Sequence, residues 1–385
     1  MPRPNNPLHI FISTGEISGD YHGARLIEAL KKNSPAPLRI SGLGGKQMAG
    51  TGAEISGDIT MYSSVGLSEG LRFFFSGKKN RSLSRAVKFI LKEKPDLVVC
   101  VDNQGTNISL GALAHSRGLK TAYYFPPPVY IWGRWNIEKL KKHFDLVLCQ
   151  FEKDYELYRA GGVNCLFTGH PFGSEDFSDH KISLRRQAGI PENAEVTGIF
   201  PGSRLQEIEN LTPVFLETCK KLHKKNPDML FYLSLAHEGF YNKVRKYAEK
   251  IFPLVDIACG RHREIMQIAD FLLICSGTAT LEGAFYRKPM AIGYRISALS
   301  AFIARRLVKV NHIGIANILA GKTISPEFIN KDCTPENLAE YAALVFGSEN
   351  LRRETAGQYE RLINSIGRGD PLKTAGAALL NLACR

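Results

Sequence analysis

The 385-residue sequence has no apolar run that reaches the roughly 20 residues needed to cross a bilayer. Its N-terminal segment, residues 1–7, also lacks the apolar core of a signal peptide. We therefore expect a cytoplasmic protein that contacts a membrane only peripherally, from the cytoplasmic side.

The eight cysteines include no Cys-x-x-Cys pair, and several of them lie within apolar runs. This pattern predicts buried free thiols in a reducing compartment rather than disulfides or zinc ligands. No other cluster of metal ligands is visible, and the Asp-x-Asp sequence that commonly holds a metal-bound diphosphate is absent. We therefore expect neither a metal nor a cofactor.

Signatures of several function classes are also missing. The glycine-rich loops of the first half do not follow the G-x-G-x-x-G pattern of dinucleotide-binding proteins, and there is no Ser-His-Asp elbow. No nucleic-acid-binding motif accompanies the net charge of +13, and the basic residues fall in short groups that solvated helix faces largely explain. The charge predicts an anionic partner or surface, but no nucleic acid.

What the sequence does contain is an alternation of short apolar runs with helical patterns, over residues 8–168 and again from residue 196. This alternation predicts an α/β protein with two Rossmann-like, doubly wound parallel-sheet domains. We place them at residues 1–172 and 173–345, with C-terminal helices at 346–385 that pack on the first domain or on a partner subunit. The predicted strands are Leu8–Ser13, Leu38–Ile40, Leu97–Val101, Thr121–Phe125, Leu146–Cys149, Val196–Phe200, Leu230–Leu235, Phe271–Cys275 and Met290–Gly293.

The most informative stretch is Ser276–Ala284, which follows the predicted strand Phe271–Cys275. Gly277 permits a sharp turn, and Ser276 or Thr278 is placed to cap a helix. Amide groups at such a helix start attract phosphate, and Glu282 in the first turn would accept hydrogen bonds from a ribose diol. An ordinary capped helix explains the same residues.

A second loop of this kind, Pro201–Arg204, follows the strand Val196–Phe200. Ser203 and Gln206 fit a capping box, which places Arg204 in the first helical turn. Two helix starts and a guanidinium would together bind a diphosphate. The alternative for Arg204 is an ordinary surface arginine.

In the first half, Asp102 ends a predicted strand and is a candidate base for an acceptor hydroxyl. It fits equally well as a cap of the next helix, expected to begin near Asn107. Glu16 and Asp20 are rival bases that fit equally as caps of the helix after the first strand. His170, beside a proline, is expected at a hinge or at the edge of the ligand. Because ligands bind at the carboxyl ends of parallel strands, we expect the site in the cleft between the two halves.

The segment Val65–Phe75 carries an apolar stripe followed by basic residues. Packing in the core is the default explanation for such a stripe. An aromatic edge beside a basic cluster also suits an anionic membrane surface. The residues of this candidate membrane surface are Leu67, Leu71, Phe73, Phe74 and Phe75.

Together these motifs resemble the lipid-A-disaccharide synthase family, inverting glycosyltransferases of the GT-B fold. The likeness runs over most of the chain. The matching stretches, in order, are Gly15–Asp20 with Gly23–Ala24, Gly42–Gly45, Val65–Leu67, Val101–Asp102 with Asn107, Gly169–Pro171, Pro201–Arg204, Ser276–Glu282 and Asn317–Gly321.

The resemblance implies a UDP-2,3-diacylglucosamine donor held by the second domain and a 2,3-diacylglucosamine 1-phosphate acceptor held by the first. Asp102 would be the base for inverting attack that yields a β-1,6 disaccharide and UDP. It further implies a metal-independent enzyme, peripheral to the inner membrane and often dimeric. The implied donor-side residues are Gly202, Ser203, Arg204, Ser276, Gly277, Thr278, Thr280, Glu282 and Asn317. The implied acceptor-side residues are Glu16, Ser18, Gly19, Asp20, Gly44, Gly45 and His170.

Two acceptor-side stretches depart from the family pattern. Where the family usually has Ala/Ser-Pro-Asp-Phe-Asn, this sequence reads Asn-Gln-Gly-Thr-Asn over 103–107, so Gly105 replaces an acidic residue. The segment Val129–Trp135 is also altered, whereas the donor-side motifs are intact. Two other hypotheses stay open: another UDP-sugar enzyme of this architecture, such as a lipid-linked GlcNAc transferase or a UDP-GlcNAc 2-epimerase, and a non-catalytic nucleotide-binding protein of the membrane surface.

Overall fold

The computed structural model describes residues 7–58, 77–131, 133–178, 180–295, 312–366 and 369–385, and for residues 77–82 the backbone alone. The candidate membrane residues Leu67, Leu71, Phe73, Phe74 and Phe75 lie outside these ranges. The chain divides into two compact units. Unit 1 comprises Met1–Glu175 with Ile366–Arg385, and unit 2 comprises Asp176–Ser365.

Unit 1 is built on a parallel sheet, which has seven strands among the described residues. Their order across the sheet is β3-β2-β1-β4-β5-β6-β7. The strands are β1 Leu8–Thr14, β2 Leu38–Leu43, β3 Glu54–Gly57, β4 Leu97–Val101, β5 Thr121–Tyr124, β6 Leu146–Cys149 and β7 Cys165–Phe167. The helices between them are α1 Ile17–Asn33, α2 Lys46–Gly50, α3 Gly77–Glu93, α4 Gln104–Ser116, α5 Asn136–His143 and α6 Glu152–Ala160.

Unit 2 repeats the plan with six parallel strands in the described ranges, ordered β10-β9-β8-β11-β12-β13. The strands are β8 Val196–Phe200, β9 Leu230–Leu235, β10 Val255–Cys259, β11 Phe271–Cys275, β12 Met290–Tyr294 and β13 Glu327–Ile329. The helices are α7 Lys181–Gln187, α8 Leu205–Lys225, α9 Tyr241–Ile251, α10 His262–Ile268, α11 Thr278–Phe285, α12 Ile315–Ala320, α13 Pro335–Gly347 and α14 Glu349–Ser365.

The last helix, α15 Pro371–Cys384, returns to unit 1. Its residues Ala375, Leu379 and Leu380 join the same apolar cluster as Leu26 and Ile27 of α1. We expected boundaries after residues 172 and 345, whereas the compact units divide at 175/176 and 365/366. Because α15 packs into the core of unit 1, residues Ile366–Arg385 belong to that unit.

Helices cover both faces of each sheet, and this explains the continuous apolar runs of the central strands. Every residue of β4, β8 and β11 is buried. The edge strands β3, β7, β10 and β13 are mostly half-buried, and their sequences carry no buried apolar run of that length. For that reason the nine inner strands could be predicted from the sequence, whereas these four edge strands were missed.

All eight cysteines are free thiols, as the sequence predicted. Cys165 and Cys259 are only half-buried and Cys384 is exposed, so burial holds for the other five. Within the described residues, no helix combines the length and the apolar character that crossing a membrane would take.

Candidate functional site

In unit 1, the strand order reverses between β1 and β4, which are hydrogen-bonded neighbours. Thr14 pairs with Val101, so both strands end at the same level of the sheet. Such a switch point leaves a crevice outside the carboxyl ends of the strands, where doubly wound folds bind ligands. The segment Gly15–Asp20 follows β1 and Asp102 follows β4, so the structure brings these predicted residues to one switch point.

Asp102 has an unusual backbone conformation, with φ of +53°, and Asn103 follows with φ of +44°. A left-handed conformation at a residue other than glycine costs about 1–3 kcal/mol and persists only where the surroundings enforce it. Here the Asp102 amide donates to the carbonyl of Tyr124 (3.0 Å), and its carbonyl accepts from the Tyr123 hydroxyl (2.7 Å). These backbone bonds fix the direction of the half-buried Asp102 side chain.

The buried amide of Asn107 completes this turn. Its Nδ2 donates to the carbonyls of Val101 and Asp102 (both 2.9 Å), and its Oδ1 accepts from the Ser13 hydroxyl (2.7 Å). Helix α4 begins at Gln104 rather than near Asn107, and the capping position falls on Asn103, which makes no side-chain capping bond. The sequence placed this helix start three residues too late, and Asp102 does not occupy the capping position.

The loop after β1 approaches the Asp102 turn closely. Ser18 Oγ lies 3.4 Å from Asp102 Oδ2, at the limit of a hydrogen bond. A Cβ atom on Gly15 would lie 1.8 Å from Asn103 Nδ2, so any other residue there would displace the Asn103 side chain. Glu16 occupies the capping position of α1 but makes no side-chain capping bond. The structure therefore gathers Glu16, Ser18 and Asp102 around one point.

Asp20 is used neither as a base nor as a cap of α1, the two roles predicted for it. It is 5% exposed, and its carboxylate accepts hydrogen bonds from the amides of Gly45 (2.7 Å), Gln47 (3.0 Å) and Met48 (3.2 Å). Burial raises the pKa of this carboxyl, although the three amide bonds act in the opposite direction. Asp20 thus caps the short helix α2, not its own helix α1, and holds the Gly44–Gly45 loop in place.

His170 lies inside unit 1, not at a ligand edge. It is 1% exposed, its Nδ1 accepts from the amide of Phe172 (3.2 Å), and its ring stacks on Phe151 with centroids 5.6 Å apart. Burial, with a smaller effect of His22, puts the pKa of His170 well below its usual range. A neutral, enclosed imidazole of this kind supports the aromatic packing beneath the loops.

Unit 2 has its own switch point, between the neighbouring strands β8 and β11. Phe200 pairs with Ile274, so the loops 201–204 and 276–277 leave the sheet side by side. Both loops lead directly into helices, α8 and α11. The two predicted diphosphate-binding loops are therefore neighbours.

The 201–204 loop is organised by Glu207. Its Oε2 accepts from the amides of Ser203 (2.9 Å) and Arg204 (3.1 Å), and its Oε1 pairs with Arg204 Nη1 (3.1 Å). The capping position is Arg204 and its reciprocal partner is Glu207, so the predicted box of Ser203 with Gln206 is one residue out of register. Gly202 has φ of +114°, and a Cβ there would lie 2.4 Å from Glu207 Oε2.

In the 276–282 segment, Gly277 is the capping residue, with φ of +153° and no side-chain cap. Neither Ser276 nor Thr278 caps the helix as predicted, because the Ser276 hydroxyl donates to the carbonyl of Ile313 (2.6 Å). Thr280 is also turned inward and donates to the carbonyl of Gly277 (2.8 Å). The described side chains do not cap the first amides of α11, and these amides therefore point beyond the end of the helix.

Glu282 lies in the second turn of α11, not the first, and it is 7% exposed. Its Oε2 contacts His262 Nε2 (2.7 Å) and its Oε1 accepts from Arg263 Nε (3.0 Å), both at the start of α10. Burial alone would raise the pKa of this carboxyl, but His262 and Arg263 outweigh burial and hold its pKa below the ordinary value. Neither partner could be predicted from the sequence, because no local pattern links residues 262 and 282.

Asn317 is fully buried, and its amide makes four hydrogen bonds within unit 2. Nδ2 donates to the carbonyl of Ser325 and to Glu327 Oε1 (both 2.7 Å), while Oδ1 accepts from the amides of Ile324 (2.8 Å) and Ser325 (2.9 Å). Glu327, which the sequence analysis also missed, accepts from the amides of Ile313 and Gly314 (both 2.9 Å). Asn317 thus supports the loop beside Ser276.

The lipid-A-disaccharide synthetase family model matches residues 10–379, across both sheets and both switch points. The chain belongs to this family of lipid-A-disaccharide synthases. Lipid-A-disaccharide synthase 1 of Legionella pneumophila, strain Philadelphia 1, is 33% identical over 363 residues, 94% of each chain. The synthase of Vibrio campbellii is 31% identical over 382 residues, 97% of this chain and 98% of its own.

Solved structures of similar shape agree on the fold. A UDP-GlcNAc 2-epimerase from Neisseria meningitidis bound to UDP-GlcNAc matches with a TM-score of 0.61 at 13% identity, over 98% of this chain and 99% of its own. The Staphylococcus aureus MnaA–UDP complex matches with a TM-score of 0.62 at 14% identity, over 93% and 95%. This member of the synthase family has the GT-B fold.

Membership of the synthase family makes this chain a glycosyltransferase of lipid A biosynthesis. The hexosyl-transfer activity that the family resemblance implied is thereby confirmed, and so is the resemblance to this family. The structure adds that the predicted residues gather at two places, Asp102 at the switch point of unit 1 and Arg204 with Gly277 at that of unit 2.

Proposed function

We propose that this chain transfers a 2,3-diacylglucosamine unit from UDP to the 6-hydroxyl of 2,3-diacylglucosamine 1-phosphate. The products are the β-1,6 lipid A disaccharide 1-phosphate and UDP. The observation that carries the proposal is the enforced turn at Asp102, at the switch point of a chain that belongs to the synthase family.

In this mechanism the Asp102 carboxylate takes the proton of the acceptor hydroxyl as the oxygen attacks the anomeric carbon. The bond from that carbon to the diphosphate oxygen breaks as the new bond forms, and UDP leaves with the electron pair. Attack on the face opposite UDP inverts the configuration. Strain at Asp102 supports this role, because left-handed backbone at a residue other than glycine clusters at active sites.

On the donor side, the diphosphate binds at the starts of α8 and α11, with Arg204 beside it. Helix-start amides and a guanidinium stabilise negative charge that grows on a departing diphosphate. Arg204 is half-exposed, with 45% of its side chain accessible, and its pairing with Glu207 aims the guanidinium from the capping position. These groups supply the cationic partner of the diphosphate, so we propose that the transfer needs no metal.

Acylated substrates require access to a membrane, and we propose that the chain works as a peripheral protein on the cytoplasmic face of the inner membrane. The net charge of +13 supports attraction to anionic lipid. The Val65–Phe75 segment remains the proposed acyl and membrane surface, and a homodimer remains the proposed assembly.

The decisive experiment supplies the purified chain with both lipid precursors and follows UDP and disaccharide 1-phosphate by mass spectrometry. We expect both products in equal amounts, and NMR of the disaccharide should show the β linkage. Hydrolysis or epimerisation of unacylated UDP-GlcNAc, with no disaccharide, would favour another UDP-sugar enzyme. UDP binding without turnover of any acyl sugar would favour the non-catalytic hypothesis.

Asp102→Asn tests the base. Asparagine tolerates left-handed backbone, and the bonds that shape this turn use the Asp102 main chain, so the fold should be retained. Loss of general-base catalysis lowers turnover about 10²- to 10⁴-fold, while UDP affinity stays unchanged. Calorimetry with UDP, run beside the product assay, checks both halves. Wild-type turnover in a folded Asp102→Asn variant would remove Asp102 from the base role.

A further inference from the structure

The His262–Glu282–Arg263 cluster is a polar feature of unit 2 that the proposed reaction does not use. Glu282 on α11 is enclosed, whereas His262 and Arg263 keep 38% and 35% of their side chains accessible. Both side chains come from the start of a different helix, α10, and each contacts a different carboxylate oxygen (2.7 and 3.0 Å). The carboxylate is therefore held from both sides.

The occupancy of the carboxylate limits what else it can bind. An ionised carboxylate offers about four acceptor sites, two on each oxygen. His262 uses one site on Oε2 and Arg263 uses one on Oε1, so one site on each oxygen remains. Two adjacent acceptor sites match the two O–H donors of a vicinal diol.

Aromatic rings hold the His262 and Arg263 side chains in place. The ring of His262 meets Phe200 edge-on, with centroids 5.1 Å apart, and Phe200 is the last residue of β8 before the 201–204 loop. The guanidinium of Arg263 lies over Phe177, 5.7 Å from the ring centroid, and Phe177 packs against Phe285 at the end of α11. These ring contacts fix the directions from which His262 and Arg263 reach the Glu282 carboxylate.

We propose that His262 and Arg263 are positioning residues that fix the Glu282 carboxylate to receive the vicinal diol of the donor's ribose. This inference rests on the proposed function, because it takes the donor to be a UDP-sugar bound at the unit 2 switch point. The low pKa of Glu282 agrees with it, since only the ionised form accepts from both hydroxyls.

The test measures binding of UDP and of 2′,3′-dideoxyuridine 5′-diphosphate to the full chain by calorimetry. We expect the wild-type chain to prefer UDP by about 10- to 100-fold, the range for hydrogen bonds to a charged group. His262→Ala should lower UDP affinity about 5- to 10-fold and leave the dideoxy compound unaffected. His262→Gln, which retains a donor nitrogen, should recover most of the loss.

Two further variants separate positioning from general stabilisation. In a Glu282→Ala background, His262→Ala should cause no additional loss of UDP affinity, because the residue it acts through is gone. Arg261→Ala is the matched control: Arg261 pairs with Glu264 (2.8 Å) on the same helix start and does not contact Glu282. Thermal unfolding of each variant verifies that the chain is folded.

A His262→Ala effect that is equal for both nucleotides, or that persists without Glu282, would overturn the inference while leaving the proposed function intact. A chain that binds UDP with this discrimination but forms no disaccharide would retain the inference and lose the acyl-sugar assignment. Failure of the wild-type chain to bind UDP would overturn both.

Discussion

The carboxyl group of Asp154, in the first turn of α6, should make the stability of unit 1 depend on pH in an unusual direction. Asp154 is 2% exposed and accepts a hydrogen bond from the amide of Tyr130 (3.1 Å). Burial raises its pKa to about 7, and the amide bonds from Tyr130 and Val129 reduce this effect only in part. Most carboxyls in proteins show the opposite behaviour, because partners lower their pKa values.

The sign follows from proton binding. Between the ordinary pKa near 3.8 and the folded value of about 7, the folded state retains the Asp154 proton and the unfolded state releases it. This contribution to stability is therefore complete below pH 3.8 and is lost as pH rises to about 7. A difference of about three between the two pKa values corresponds to about 4 kcal/mol, which is an upper limit because the folded site relaxes.

Asp154→Asn removes the titrating group and keeps an oxygen that can accept from Tyr130. We expect the variant to be more stable than the wild type at pH 8, by up to about 4 kcal/mol, with the difference shrinking towards pH 4. Urea unfolding at several pH values measures it. Glu156→Gln, an exposed position on the same helix, is the control and should run parallel to wild type. Parallel curves for Asp154→Asn and wild type from pH 4 to 8 would refute the reasoning.

Two further changes probe unit 2. Arg185 is 1% exposed and donates to the carbonyl of Ile268 and to Asp270. Arg185→Met leaves these buried acceptors without that donor, so it should lower the free energy of unfolding in urea by about 3–5 kcal/mol. Arg186→Met, at an exposed position, is the control and should not lower it. Gly202→Ala should impair UDP affinity and thermal stability more than Gly277→Ala: both glycines have positive φ, but only at Gly202 would a Cβ collide with another side chain. Equal effects of the two alanine variants would contradict the role given to that collision.

The sequence by itself determined the inner strands and the loops that follow them. Runs such as Phe271–Cys275 are apolar throughout because both faces of a parallel sheet are covered, and this pattern needs no knowledge of the partners. The loops after β4, β8 and β11 could be predicted for the same reason, since they begin where the apolar runs end. The motifs in those loops, together with the other matching stretches, were sufficient to identify the family.

Tertiary structure decided how each polar side chain is used. Asp20 caps a helix 25 positions away in sequence, and Glu282 contacts His262 and Arg263 on another helix. No local spacing encodes these contacts. The strained turn at Asp102 likewise depends on strand β5, whose residues Tyr123 and Tyr124 supply its hydrogen bonds. Apolar burial repeats along the chain and can be predicted from sequence, whereas hydrogen bonds join specific atoms across the fold and appear only once the elements are packed.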